Sequence, residues 1–131
     1  MADQINVDHE LEEVSPFDTK VTWTEDFTYQ YLDKWYYLQG ACYDKGIQLW
    51  MEENGIGHYK RNPMQFVRVH NLSWYKPLIF PMSERDLHAA MNGFRTKNGR
   101  YYPGFNELVA DLQWAIDTQE WRICKIGRAH V

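Results

Sequence analysis

The chain has 131 residues, enough for one domain with a buried core. A hydrophobic content of 44% and an aromatic content of 16% exclude the disordered class. The formal net charge of −4 provides no overall basic field, so a nucleic-acid partner would need a local basic patch. The sequence has no signal-like segment and no run of about 18 apolar residues, so we expect an intracellular protein without a membrane partner.

Both ends of the chain look incomplete. The last six residues, Ile126 to Val131, resemble the translation of a sequencing adapter. We therefore expect the native domain to occupy residues 1–125 and residues 126–131 to be a non-native tail. At the other end, Met1 leads almost directly into a strand pattern, so we expect the chain to be part of a longer protein.

A β-hairpin is predicted at the start of the chain. Polar residues alternate with Ile5 and Val7 between Asp3 and Asp8, which is the period of a half-buried strand. A second strand is predicted from Val14 to Trp23, with Pro16 favouring an edge or a bulge at its beginning. Because residues two apart on a strand point to the same side, Asp18 and Lys20 should share one face.

A long helix is predicted from Thr24 to about Asn54, where Asn-Gly is a typical C-terminal signal. Spacings of three and four place these residues on one face: Leu32, Trp35, Gln39, Cys42, Gly46 and Leu49. We expect Cys42 to be a small buried hydrophobic residue, and Gly40 and Gly46 to mark close packing against the sheet.

The remaining pattern predicts two further strands and two helices. The strands are expected at Met64–His70 and Trp74–Met82; the helices begin at Ser83, as the cap, and at Phe105, whose helix continues past Ile116. Strands on both sides of a long helix indicate an α/β (α+β) fold, with a mixed central β-sheet and a β-hairpin flanked by the long helix and C-terminal helices.

The hairpin and the long helix together resemble the PD-(D/E)XK nuclease superfamily. The pattern consists of Asp3, then Phe17-Asp18-Thr19-Lys20, then Gln39-Gly40-Ala41-Cys42-Tyr43. It is most similar to the RecE-like, RecB-like and YqaJ-type phage exonucleases, in which an Asp/Glu-x-Lys strand precedes a Gln-x-x-x-Tyr helix. The resemblance implies a partial restriction-endonuclease-like core over roughly Asp3 to Ile123.

This resemblance implies metal-assisted hydrolysis of phosphodiesters. Asp3, Asp18 and the carbonyl of Thr19 would bind Mg²⁺ or Mn²⁺ through oxygen ligands. Lys20 would position or deprotonate the attacking water and neutralise the transition state. Gln39 and Tyr43 correspond to helix residues that support the site and contact the DNA backbone.

Further contacts with phosphate groups are weaker candidates. The weaker candidates are Lys60, Arg61 and Arg68. We expect His58 and His70 to be solvated residues.

Each of these residues also has a purely structural interpretation. Asp18 and Lys20 fit a surface salt pair, worth about 0–1 kcal/mol. Gln39 and Tyr43 fit ordinary helix packing. Asp8 competes with Asp3 as the first metal ligand, although Asp3 opens the strand.

The resemblance therefore predicts a Mg²⁺-dependent DNA exonuclease of the phage recombination type in a bacterial cytoplasm. Its partners would be linear double-stranded DNA ends, further copies of the chain in a homo-oligomer, and a single-strand annealing protein. One alternative is a non-catalytic phage accessory domain that binds another protein through its aromatic surface. Another is a nuclease of the DNA-repair or CRISPR-adaptation type, which the lack of iron–sulfur cysteines disfavours.

Overall fold

The computed structural model describes residues 4–22, 27–70 and 76–121. These residues form a mixed five-stranded sheet, a small two-stranded hairpin and four helices. The strands are β1 (Gln4–Asp8), β2 (Glu13–Thr22), β3 (Lys60–Arg61), β4 (Gln65–His70), β5 (Leu78–Pro81), β6 (Phe94–Arg95) and β7 (Tyr101–Tyr102). The helices are α1 (Phe27–Asp33), α2 (Tyr36–Glu53), α3 (Glu84–Asn92) and α4 (Phe105–Thr118). The mixed sheet flanked by helices confirms the predicted α+β class.

Strand β2 is the centre of the sheet. It pairs antiparallel with β1 on one side, and parallel with β3 and then β4 on the other. Strand β5 completes the sheet antiparallel to β4. The predicted hairpin is confirmed: Gln4 lies opposite Phe17 and Asp8 opposite Glu13.

Pro16 lies within this central strand rather than at its edge. On the side away from β1, β3 pairs only with Glu13 and Val14, and β4 begins its pairing at Phe17. The proline therefore occupies a gap between two ladder partners, where its missing N–H removes no hydrogen bond on that side.

The prediction of one long helix is wrong, because the chain turns at Trp35. This residue has φ 58° and separates α1 from α2. The turn folds α1 back, so that Phe27 stacks on Tyr36 and Tyr31 packs edge-on against Phe66 of β4. Burial of this aromatic cluster outweighs the strain of a left-handed tryptophan. The predicted start at Thr24 lies outside the described residues.

The buried face of α2 also differs from the predicted one. It consists of Tyr37, Gly40, Ala41, Asp44, Ile47 and Met51. Cys42 is exposed, so the prediction that it is buried is wrong. Leu49 is likewise exposed. The helix does end at Glu53 with Asn54 as its C-cap, as predicted.

Gly40 determines which face of α2 is buried. A Cβ at this position would overlap Sδ of Met82 and lie 3.6 Å from the Phe66 ring. Only glycine allows the helix to approach these residues so closely. The same prediction for Gly46 is wrong, because no described atom lies within 4 Å of the Cβ that it would carry.

The helices cover one face of the sheet. The main core cluster joins Phe66 of β4 to Tyr37 and Ala41 of α2, and a second cluster joins Val14 of β2 to Ile47 and Met51. Helix α3 packs on α2, and α4 packs on α3. On the opposite face, Thr19, Val21 and Ile79 are exposed. The even-numbered residues of β2 and β4 therefore point towards the helices.

The C-terminal half follows the predicted order with two refinements. Ser83 caps α3 in a capping box with Asp86, as predicted. The strand predicted from Trp74 is the shorter β5, and residues 74–75 lie outside the described part of the chain. The polar turn before α4 contains the hairpin of β6 and β7.

We predict opposite effects of alanine at the two glycines of α2. Gly46→Ala should raise the free energy of unfolding by about 0.5–1 kcal/mol, because alanine favours the helix and meets nothing. Gly40→Ala should lower it by about 1–3 kcal/mol, because overpacking against Met82 exceeds that gain. Urea denaturation measures both, and equal effects of the two substitutions would contradict the assigned packing.

Candidate functional site

Asp18 and Lys20 lie side by side on the helix-covered face of β2, as the sequence predicted. Nζ of Lys20 is 2.7 Å from Oδ2 of Asp18, and only 16% and 5% of the two side chains are exposed. The contact has the distance of an ion pair without the alignment of a hydrogen bond. The pair is therefore a largely buried one, which removes the alternative of a solvated surface salt pair.

Helix α2 contributes Gln39 to the same place. Nζ of Lys20 donates a hydrogen bond of 2.7 Å to Oε1 of Gln39. Since an ammonium can only donate, the amide must present its oxygen. The hydrogen bond joins residues that are 19 positions apart, and it ties the C-terminal part of β2 to the first turn of α2.

Tyr36 adds an aromatic ring to this arrangement. Nζ of Lys20 lies 4.4 Å from the centroid of the Tyr36 ring, within the range of a cation–π interaction. Tyr36 and Gln39 are three residues apart, so they lie on the same side of α2. The sequence pattern had favoured core packing for the cluster of Trp35, Tyr36 and Tyr37, and not a place at the site.

The neighbouring strand continues the polar row. Lys20 pairs in register with Arg68, and Thr22 pairs with His70. Arg68, Thr22 and His70 are all buried. The interpretation of His70 as a solvated residue is therefore wrong. The sequence does carry a signal for this row. Polar residues recur at every second position along the two strands, and these even-numbered positions are the buried ones.

The other predicted residues lie in different surroundings. Tyr43 packs against both core clusters, one helical turn beyond Gln39. The side chain of Thr19 is exposed, so only its carbonyl is a candidate ligand. Asp3 lies outside the described residues, although Gln4, which follows it in sequence, pairs with Phe17, which precedes Asp18.

Asp8 lies at the far end of the hairpin from Asp18. Its Oδ1 accepts hydrogen bonds from the N–H groups of Glu10 and Leu11, which stabilises the turn. Five residues of β2 separate Asp18 from Glu13, the partner of Asp8, a distance of about 16 Å along the strand. This geometry disfavours Asp8 as a ligand beside Asp18.

The basic residues of β3 do not extend the row. Nε of Arg61 donates a 2.8 Å hydrogen bond to Oδ1 of Asp44, a buried carboxylate on α2. The guanidinium of Arg61 is thus already engaged, and it links β3 to α2. Lys60 and His58 are exposed.

Tyrosines near the site remain neutral. Burial raises the pKa of the Tyr31 hydroxyl above its usual range, and the charge of Asp86 adds to the shift. Burial likewise raises the pKa of Tyr37 to about 12, with a smaller contribution from Tyr102. Neither hydroxyl is ionised near neutral pH.

The described residues supply one carboxylate for a metal ion. No group of three or more His, Cys, Asp or Glu side chains within ranges 4–22, 27–70 and 76–121 could hold one. Mg²⁺ is commonly held by one or two carboxylates together with water and substrate phosphates. Asp18 with the Thr19 carbonyl fits such a site in part, and a second acid would complete it.

Comparisons with known proteins leave the family open. No protein-family model matches the chain, and no curated protein matches it. In the part of the chain that the structure describes, no helix has the length and apolar character needed to span a membrane. The geometry around Lys20 is therefore the basis for a functional argument.

We predict that the Asp18–Lys20 pair is coupled in stability. Lys20→Met should lower the free energy of unfolding by about 3 kcal/mol, because it leaves a buried carboxylate without its counter-charge. Adding Asp18→Asn should recover at least half of that loss. Urea denaturation of the two single variants and the double variant tests this, and strictly additive losses would show that the pair does not interact.

Proposed function

We propose that the chain is a Mg²⁺-dependent deoxyribonuclease domain with a restriction-endonuclease-like core, acting as an exonuclease on linear double-stranded DNA ends. One observation carries the proposal: Lys20 bridges the carboxylate of Asp18 and the amide of Gln39 at 2.7 Å each. The order Asp-x-Lys on a strand followed by Gln on the next long helix resembles the PD-(D/E)XK arrangement. The spatial convergence of these three side chains supports that resemblance.

In this proposal Asp18, the carbonyl of Thr19 and Asp3 hold the metal ion. When bound, Mg²⁺ supplies charge for the phosphate oxygens and activates a water molecule. Lys20 places a positive charge next to the metal-binding carboxylate, where it orients the attacking water and offsets charge that develops on the phosphate. Gln39 fixes the ammonium through its hydrogen bond.

A buried cation of β4 lies next to Lys20 and supports phosphate binding at the same place. Arg68 is the register partner of Lys20, on the adjacent strand and the same face. A second cation there favours a polyanion over a neutral substrate. Among the weaker phosphate candidates, Arg68 lies beside Lys20, whereas Arg61 lies farther back along the sheet, where it pairs with Asp44. We also propose that the chain assembles into a homo-oligomer and works with a single-strand annealing protein. These two points rest on the resemblance alone.

A second candidate function, protein binding, is favoured by helix α4. This helix buries none of its residues, and Val109, Leu112 and Ile116 are about half exposed. Val109 and Leu112, together with Trp35 and Leu38 of the facing segment, border an apolar groove of about 450 Å³ between α2 and α4. Such a surface is typical of an interaction site.

We predict Mg²⁺-dependent loss of linear duplex DNA in the presence of the purified chain. Lys20→Ala and Asp18→Asn should each reduce the rate at least a hundredfold, because the first removes a positive charge that stabilises the transition state and the second removes a ligand of the metal ion. EDTA should abolish the activity. Release of acid-soluble nucleotides from end-labelled DNA measures the rate.

Arg61→Met is the matched control. It breaks a comparable ion pair with Asp44, at a point on β2 four residues, or about 13 Å, from Asp18. This variant should keep the activity if it is folded. Absence of Mg²⁺-dependent degradation by the unaltered chain, or equal activity in Lys20→Ala, would refute the proposed nuclease and leave protein binding as the better account.

A further inference from the structure

The ammonium of Lys20 touches a third group besides Asp18 and Gln39. Its Nζ lies 4.4 Å from the centroid of the Tyr36 ring. A carboxylate, an amide oxygen and the electron-rich face of a ring thus surround one cation, and all three attract positive charge.

Other aromatic rings hold the Tyr36 ring in place. It stacks on Phe27 with a centroid distance of 6.0 Å and on Phe66 with a distance of 6.1 Å. Phe27 also stacks on Phe80 of β5 at 4.5 Å. The orientation of the Tyr36 ring is therefore fixed by Phe27 of α1 and Phe66 of β4, and not by Lys20 alone, whereas Phe80 contacts only Phe27 of this set.

The backbone turn at Trp35 places this ring. Because Trp35 adopts φ 58°, α2 begins at Tyr36, and the ring projects over β2 from the first turn. Gln39 follows on the same side of the helix. A lysine has a flexible four-carbon stem, so a single hydrogen bond leaves its ammonium several alternative positions. A ring face on a third side excludes most of them.

We propose that Tyr36 is a positioning residue that holds the ammonium of Lys20 between Asp18 and Gln39. The ring acts through its face and not through its hydroxyl. The effect on catalysis rests on the nuclease function proposed above, whereas the effect on the position of Lys20 does not.

The position of Lys20 can be measured directly by NMR. In protein carrying ¹³C-labelled lysine, the ε-methylene signal of Lys20, assigned by its loss in Lys20→Arg, should lie upfield because of the ring current of Tyr36. Tyr36→Phe should keep this shift, and it should also keep the nuclear Overhauser contact between the side chains of Lys20 and Gln39. Tyr36→Leu removes the ring current in any case, so the decisive expectation is that it weakens the Lys20–Gln39 contact severalfold.

DNA degradation should follow the same order. We expect kcat to fall roughly tenfold in Tyr36→Leu and to stay within about twofold in Tyr36→Phe. Phe80→Leu removes a ring from the same cluster without removing the one that contacts Lys20, so it should keep both the shift and the rate. Fluorinated phenylalanines at position 36 retain the shape of the ring but weaken its negative face, and kcat should decline as fluorine is added.

Each result decides a separate point. A Lys20–Gln39 Overhauser contact that is unchanged in Tyr36→Leu would overturn the positioning role, and so would a rate that is indifferent to fluorination. If Tyr36→Leu does not fold, the fluorinated series alone decides the question through the Lys20 signal and the rate. If the unaltered chain degrades no DNA, the nuclease proposal fails, while the NMR comparison still shows whether Tyr36 holds Lys20.

Discussion

The fold depends on the anchoring of one lysine between the central strand and the long helix. Lys20 lies two residues before the end of β2, and its contacts reach Asp18 on the same strand and Gln39 on α2. A cation in such a buried place is stable only if polar groups compensate for its lost hydration. The carboxylate and the amide do so, and this requirement fixes how α2 lies over β2.

Two further contacts fix the position of α2 on the sheet. Gly40 allows α2 to approach Met82 and Phe66, and the Asp44–Arg61 pair ties the following turn to β3. Together with Gln39 they hold two successive turns of α2 against the sheet. For function, this means that a firmly held helix positions the ammonium of Lys20. Preorganised charge of this kind is what electrostatic catalysis requires.

The sequence predicted this arrangement where the signal was local. The hairpin, the common face of Asp18 and Lys20, the Ser83 cap and the helix end at Asn54 all follow from period, turn chemistry and capping within a few residues. These are interactions between near neighbours, and they leave direct traces in the pattern.

The sequence failed where distant contacts decided the outcome. Apolar and aromatic residues occur on several sides of α2, so periodicity alone did not identify the buried side, and Cys42 was placed wrongly. Packing at Gly40 decides it, and that depends on Met82, more than forty residues away. The break at Trp35 likewise arises from stacking of Phe27 with rings of α2, β4 and β5. Of the candidate site, the three converging side chains were predicted, whereas Tyr36 and the buried row of β4 required the structure.

The central claim is that a metal ion binds at Asp18 beside Lys20 and Gln39. Paramagnetic broadening by Mn²⁺ tests it most directly, because the effect is local to the bound ion. The account predicts broadening of the NMR signals of Lys20 and Gln39, none at Arg61, and its loss in Asp18→Asn. Broadening that is spread over the acidic surface, or that persists in Asp18→Asn, would contradict it.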